Sequence, residues 1–453
     1  DTAQKLVSVT HVGHHIKHVA SAEVKKKFQV AISHDMGITV LNAACKKVLW
    51  HTDILEGAPD RISIGSDGVV AAITGLKHVA IYSSNGTKIS EKRYNSDFVA
   101  DAAVLGSHGL VAVAGWQVKE VPGGPALQVG FIFGFNHTFS RKWSAWGFKR
   151  GFNDSTSHDT AMTRVSLGQD GNLYGLGQTW GRWNIFLCDS HDIMAPGKIA
   201  PPIDKYSSLK RHLALRSALY TARLNPANGD ILKGTFHRNI HPTEVELMDE
   251  TVNITDHYYA LDGFQTYGGV GASQRGSVVA SAWAGNGIAS RHKLKVAGRG
   301  VGVYQGREAT VLQLSPTFGE RDVWTAFTAE PPTEPTEPLG WDGMSTPIDV
   351  VVTNNGVVIA LSAVHSGNVI TKDDPLPWLG EAKPAARRKH VVIWQEKTMA
   401  SMPAPPKMPP PPPTNKDPLP KVATRDTIRV PKEAMVDAQE AVPKPARETK
   451  SEL

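Results

Sequence analysis

Short apolar runs separated by polar turns make up most of the chain up to residue 400, and almost none of it carries the 3.6-residue spacing of an amphipathic helix. Five segments share one plan, in which an apolar run meets a tight turn that closes on glycine and then a second β-rich run. They are DRISIGSDGVVAAITG (60–75), DAAVLGSHGLVAVAG (101–115), TRVSLGQDGNLYGLG (163–177), GVGASQRGSVVASAWAG (269–285) and IDVVVTNNGVVIALSA (348–363). The turn glycines are Gly68, Gly109, Gly171, Gly276 and Gly356. Asp67-Gly68, Asp170-Gly171 and Asn355-Gly356 are dipeptides favoured in two-residue type I′ hairpins, where both central positions need φ > 0. The Val, Ile and Ala on either side suit strands covered on both faces. A second plan follows the first: an apolar strand, a short polar turn, and a strand often ending in an aromatic. It occurs at 37–51, 78–92, 128–146, 219–236 and 308–327. Two such hairpins make a four-stranded antiparallel sheet.

A lone four-stranded sheet leaves its faces and edges uncovered. Packing such sheets radially buries the faces and shortens the exposed edges, so the repeat predicts a β-propeller. TARLNPANGDILKGTF and TVLQLSPTFGERDVWTAF resemble the outer hairpin of the bacterial β-propeller-repeat family. TRVSLGQDGNLYGLGQT and IDVVVTNNGVVIALSA resemble its inner hairpin. The resemblance covers residues 28 to 397 and implies a blade shape without implying an activity, because propellers host many functions. Six units are countable. The first supplies an outer hairpin at 28–52, and the last ends in HVVIWQEK (390–397) without a partner strand. Residues 189–218 and 237–266 leave room for a seventh. The strand-like KLVSVTHVGHHIKHVA (5–20) is expected to supply the missing strand and close the ring as a clasp. The fold class expected is therefore all-β: a propeller over 1–400 of six four-stranded blades, seven being allowed, closed by the N-terminal strand.

From Ser401 the composition changes. MPAPPKMPPPPPTNKDPLP (402–420) reads as polyproline II, and the rest of 401–453 mixes charge with proline and has few aromatics. A disordered Pro-rich tail is expected, with a short helix allowed at 431–442. PTEPTEPLG (332–340) is a smaller loop of the same kind. The net charge of +6 is mild for 453 residues, and only 22–28 and 386–390 group basic residues tightly, so no nucleic-acid partner is expected. No apolar run is long enough for a transmembrane segment. The chain begins at Asp1 without a basic-then-apolar leader, and the expectation is a signal peptide already removed and an extracytoplasmic location. Cys45 and Cys188 allow one disulfide or two buried thiols. No CxxC spacing is present, so neither haem attachment nor a zinc cluster is expected, and no cofactor is indicated.

Candidate chemistry lies in two places. His11, His14, His15 and His18 would share one face of a helix, but their neighbours read as a strand, where they split two and two and cannot all converge on a metal. A pair could still bind one with help from elsewhere. The loops leading into the inner strands carry Asp60, Asp97, Asp101, His158, Asp159, Tyr267, Trp341 and Asp342. Carboxylates, a histidine and aromatics on one rim suit a cation or a sugar, and His158-Asp159 suits acid/base work. The same residue types also serve simply to satisfy turn backbones. There is no GxSxG, HExxH or Walker A sequence, and the glycine-rich stretches 177–183 and 268–276 lack the following helix that a phosphate cradle needs. The sequons at Asn85, Asn136, Asn153 and Asn253 read as turn residues. The expected function is a non-catalytic extracytoplasmic scaffold for a protein or glycan partner, with the tail as tether. The alternatives are a hydrolase or lyase acting on a sugar or ester through His158 and the rim carboxylates, and a metal-binding subunit using the N-terminal histidines. The oligomeric state is left open.

Overall fold

The computed structural model describes residues 16–43, 45–54, 57–120, 126–148, 159–179, 184–197, 218–237, 268–284, 308–319, 321–329, 345–353, 356–363, 369–370 and 389–394. All belong to the larger of two compact units, Asp1–Pro405; the second unit, Pro406–Leu453, lies outside the described residues, as does the whole expected tail 401–453.

The described strands form antiparallel meanders in chain order. The first sheet is β1 (Ile16–Val24), β2 (Lys27–His34), β3 (Gly37–Asn42) and β4 (Val48–Asp53). The second is β5 (Arg61–Ile64), β6 (Val70–Thr74), β7 (His78–Tyr82) and β8 (Lys88–Arg93). The third is β9 (Phe98–Leu105), β10 (Leu110–Lys119), β11 (Leu127–Asn136) and β12 (Arg141–Trp146). The fourth is β13 (Thr160–Leu167), β14 (Leu173–Thr179), β15 (Ala218–Leu224) and β16 (Ile231–His237). The fifth is β17 (Val270–Ala272), β18 (Val278–Ala284), β19 (Glu308–Leu314) and β20 (Arg321–Ala329). The sixth is β21 (Ser345–Thr353), β22 (Gly356–Ala363) and β24 (Lys389–Trp394), while β23 (Val369–Ile370) returns to pair with β20. The leading strands β1, β5, β9, β13 and β17 touch in succession, and β17 and β18 touch β21. Four-stranded sheets set in a ring with their first strands innermost make this a β-propeller. Among the described residues, five sheets carry the full meander and the sixth has three strands. Stretches 198–217 and 238–267, where a seventh unit had room, lie outside the described residues.

The N-terminal segment is placed differently from the expected clasp. β1 pairs with β2 from Ile16↔His34 to Val24↔Lys27, so residues 16–24 complete the first sheet and do not extend the last. Residues 1–15, with His11, His14 and His15, lie outside the described residues.

The turn type also differs. Gly65 N–H donates to Val69 O and Gly68 N–H to Gly65 O, and Gly68 alone is left-handed, at φ 81°. The loops at 168–172 and 273–277 repeat this pattern on Gly171 and Gly276. These are three-residue turns with a left-handed glycine, not type I′ pairs. In the first two the carboxylate also bonds along the turn, Asp67 accepting from Val69 N–H (3.1 Å) and Asp170 from Asn172 N–H (3.1 Å), while Arg275 stands at the matching position of the third. Gly356 pairs with Thr353 as the first residue of β22, which leaves 354–355 as the connection. A two-residue turn with both positions left-handed occurs at Lys25-Lys26 (φ 49° and 63°), where no glycine announces it.

Apolar layers fill the spaces between successive sheets. Trp50, Ile38 and Val40 meet Ile62, Val70 and Tyr82 between the first and second. Ile73 and Ile81 meet Val113, Phe131 and Phe133 between the second and third. Ile132, Trp143 and Trp146 meet Met162, Phe186 and Tyr220 between the third and fourth. Tyr174 and Leu219 meet Val278, Leu312 and Phe318 between the fourth and fifth. This is why the strands are apolar on both faces.

Tyr220 is fully buried, stacked on Phe186 at 4.6 Å, and its hydroxyl has no hydrogen-bond partner among the described residues. An unsatisfied buried hydroxyl is a cost, so Tyr220→Phe should leave stability unchanged or raise it by about 1 kcal/mol, read by denaturant titration. A clear loss would show that the hydroxyl is bonded.

Candidate functional site

The polar residues closest to the propeller axis come from one register position on the innermost strands. In β1, β9, β13 and β21 the pairing skips a residue just before His18, Asp101, Arg164 and Asp349 respectively. Asp60 N–H donates to Ile73 O (2.7 Å) just ahead of Arg61, which opens β5 in the same way. A bulge re-aims the side chain that follows it. The fifth sheet places Gly269 at this position, just before β17. A Cβ there would lie 2.0 Å from Asp349 Oδ1, so the missing side chain is what admits the carboxylate.

These groups bond both to one another and to backbone. His18 Nδ1 accepts from Ile62 N–H (3.3 Å), which leaves the ring proton on Nε2 to be donated to Asp349 Oδ2 (3.0 Å). Arg61 Nη1 lies 2.9 Å from the same Nε2, but that nitrogen is already a donor, so Arg61 bonds the Asp349 carboxylate instead (3.1 Å). Asp101 accepts from its own neighbour Ala102 N–H and from Val165 N–H on the next innermost strand, each at 3.0 Å. Arg164 Nε donates to Gly268 O and Nη1 to Thr163 O (2.7 Å). Serines two residues beyond the arginines add further staples: Ser63 Oγ accepts from Val104 N–H (3.1 Å), and Ser166 Oγ donates to Val270 O.

Two arginines and two aspartates balance, but their environments separate them. Burial pushes Asp101 up, and the charges of Arg61 and Arg164 only partly offset it. Burial also pushes on Asp349, but there the His18 hydrogen bond and the Arg61 charge prevail and hold the carboxyl below its ordinary value. Burial and the nearby Arg61 lower the Arg164 guanidinium to about 10.

Of the rim residues expected from sequence, the four described ones are each bonded to their own local partners. Asp60 accepts from Lys17 Nζ (3.1 Å) and Gly75 N–H (2.8 Å). Asp97 accepts from Gln117 Nε2 (3.2 Å), and Asp159 from Gln128 N–H (2.8 Å). All three satisfy neighbouring donors, and Asp101 alone of the described four enters the central ring. His158, Tyr267, Trp341 and Asp342 lie outside the described residues. Beside Asp97, Phe98 and Trp116 stack at 5.2 Å and 10°, both half-buried. Lys77 Nζ sits 3.5 Å from the Phe98 ring and donates to the carbonyls of Asn95 (3.1 Å) and Asp97 (3.0 Å). Gln117 Oε1 accepts from Phe148 N–H (2.9 Å).

Sequence reading missed Arg61, Arg164 and Asp349, and it grouped His18 with His11, His14 and His15, which lie outside the described residues. A signal was present: in DRISIG, TRVSLG and IDVVVT the charged residue stands four before the end of the strand or its turn glycine. No cluster of three or more His, Cys, Asp or Glu fit for a metal occurs among the described residues. No disulfide joins Cys45 and Cys188, and burial raises the Cys188 thiol. Asn85 and Asn136 are turn residues: the Asn85 side chain accepts from Thr87 N–H (3.3 Å) and that of Asn136 from Ser140 N–H (2.8 Å). Among the described residues no helix is long and apolar enough to cross a membrane.

No known family profile matches the sequence, and no curated protein matches it. Solved structures similar to this chain include the RRP9 WD40 repeats, at 10% identity over 86% of this chain and 96% of that one, with TM-score 0.37. BamB from Moraxella catarrhalis is 12% identical over 82% and 78%, with TM-score 0.32. A chain of the mitotic checkpoint complex is 9% identical over 79% and 73%, with TM-score 0.35. The propeller assignment rests on the strand order and sheet contacts above.

Proposed function

We propose that the chain is a non-catalytic, six-bladed propeller that offers its loop-end rim to a protein partner, with residues 401–453 as the reach segment. The observation that carries this reading is the Phe98–Trp116 stack with Lys77, Asp97 and Gln117 beside it, a half-exposed aromatic pair ringed by polar groups. Aromatic anchors of this kind dominate binding energy at protein interfaces. The central charges, by contrast, are bonded to each other and to backbone, and Asp60, Asp97 and Asp159 hold turn and side-chain donors. A hydrolase using those carboxylates gains no support from them. A glycan is the second class of ligand that an aromatic platform beside a carboxylate and an amide would suit.

A photo-cross-linking residue at Phe98 in the full chain, expressed in its native host, should give one dominant adduct. Trp116→Ala should reduce capture of that species about tenfold or more, the scale of losing an interface anchor. Unchanged capture by Trp116→Ala would remove this rim as the binding surface. Deleting 401–453 tests the reach segment separately, and fractionation of the host tests the extracytoplasmic setting.

A further inference from the structure

We infer that Asp349 is a latch: through His18 of the first sheet and Arg61 of the second it ties the last sheet back to the start of the chain, and its release is the step that opens the propeller at that seam. The inference rests on the six-sheet ring and not on the identity of any partner.

The junctions from the first sheet through to the fifth are each filled by a buried apolar cluster. On the strands flanking the seam, Ile16 (40%) and Val19 (48%) of β1 and Val351 (50%) of β21 are exposed, while Val350 (4%) and Val352 (8%) of β21 are buried. Polar groups cross the seam. Asp349 Oδ2 takes the His18 Nε2–H (3.0 Å) and Arg61 Nη1 (3.1 Å) over sequence separations of 331 and 288 residues.

The surroundings hold the latch in place. His18 is fixed by Ile62 N–H at Nδ1 (3.3 Å), so its tautomer and aim are set before Asp349 arrives. Asp349 Oδ1 accepts from Val350 N–H (2.8 Å), which fixes the carboxylate from its own strand. Gly269 leaves the space it occupies. The bonds to Asp349 join three sheets at one carboxylate, so their loss is felt together by the strands that carry them.

Hydrogen exchange of the full chain, followed by mass spectrometry, tests this. Asp349→Asn should speed exchange in peptides covering 16–24 and 345–353 by about tenfold or more, the equivalent of losing one hydrogen bond to a charged group. Peptides covering 110–119 and 173–179 should be unchanged. Equal protection in all four regions, or an equal rise in all four, would overturn the inference. Should Asp349→Asn fail to fold, His18→Ala provides the same test, and His18→Gln, which keeps an N–H donor, should restore protection; failure of both His18 variants to differ would also overturn it. Trp116→Ala should leave seam exchange untouched, so a failed latch and a failed partner surface give different results.

Discussion

Trp143→Ala is expected to lower stability by about 3–5 kcal/mol, the range for emptying a large aromatic site in a core. Trp143 on β12 is buried between the third and fourth sheets and sits over two glycines, one in its own sheet and one in the outer turn of the next. A Cβ at Gly134 would lie 2.2 Å from the indole, and one at Gly229 would lie 2.4 Å from it. The ring thus fills space made by two absent side chains, and neither glycine can move in to refill it. Gly229→Ala attacks the same contact from the other side and adds a strained left-handed backbone at φ 76°. Trp143→Phe should cost less than Trp143→Ala, since the indole Nε1 has no hydrogen-bond partner to lose among the described residues. Denaturant titration of the three variants checks this. A loss below about 1 kcal/mol for Trp143→Ala, within the ordinary range for a surface change, would mean that the interlock is not formed.

Asp349→Ala and Asp101→Asn are expected to have unequal effects at neutral pH. The first leaves Arg61 and His18 facing a gap, and losing a part-buried hydrogen bond to a charged group costs roughly 1.5–3 kcal/mol. The second replaces a carboxylate whose charge the fold disfavours with a neutral amide whose oxygen can still accept from Val165 N–H, at the loss of the bond from Ala102 N–H, so stability should change little. The pH dependence follows from the signs. Asp349 lies below the usual aspartate value of 3.8 when folded, so its contribution is complete above 3.8 and is lost as pH falls from there through the folded value. Asp101 lies above 3.8 when folded, so its charge is a penalty at neutral pH that is relieved as pH falls through the folded value toward 3.8. Stability measured between pH 7 and 3 should therefore gain less on mild acidification in Asp101→Asn than in the native chain, and should fall less below 3.8 in Asp349→Ala. Parallel curves for all three proteins would refute the assigned environments.

The blades were readable because each hairpin advertises itself locally. The Val, Ile and Ala runs report burial on both faces, and Asp-Gly reports a turn, since only a few residues tolerate the backbone there. The turn type was misread at Asp67 and Asp170 because Asp-Gly also suits a three-residue turn in which the glycine alone is left-handed, a turn that Arg275-Gly276 forms as well. The turn at Lys25-Lys26 was not readable at all. Lysine carries no left-handed preference, and the pairing of β1 with β2 imposes that conformation.

The candidate site was less readable, for a physical reason. Asp60, Asp97 and Asp159 looked functional by residue type, yet each is held by a backbone or side-chain donor of its own or the preceding sheet. Asp349 and Arg61 looked ordinary, and His18 was grouped with its sequence neighbours, because what joins the three is a meeting across most of the chain.

The sequence by itself determined the strand periods, the hairpin repeat and the all-β class, since these depend on residues within a turn or two of each other. Tertiary structure alone decided which charged residues share the axis, that the N-terminal strand belongs to the first sheet, and that Gly269 makes room for Asp349. A bulge turns each of those side chains inward, and ring geometry brings together positions that no local pattern relates.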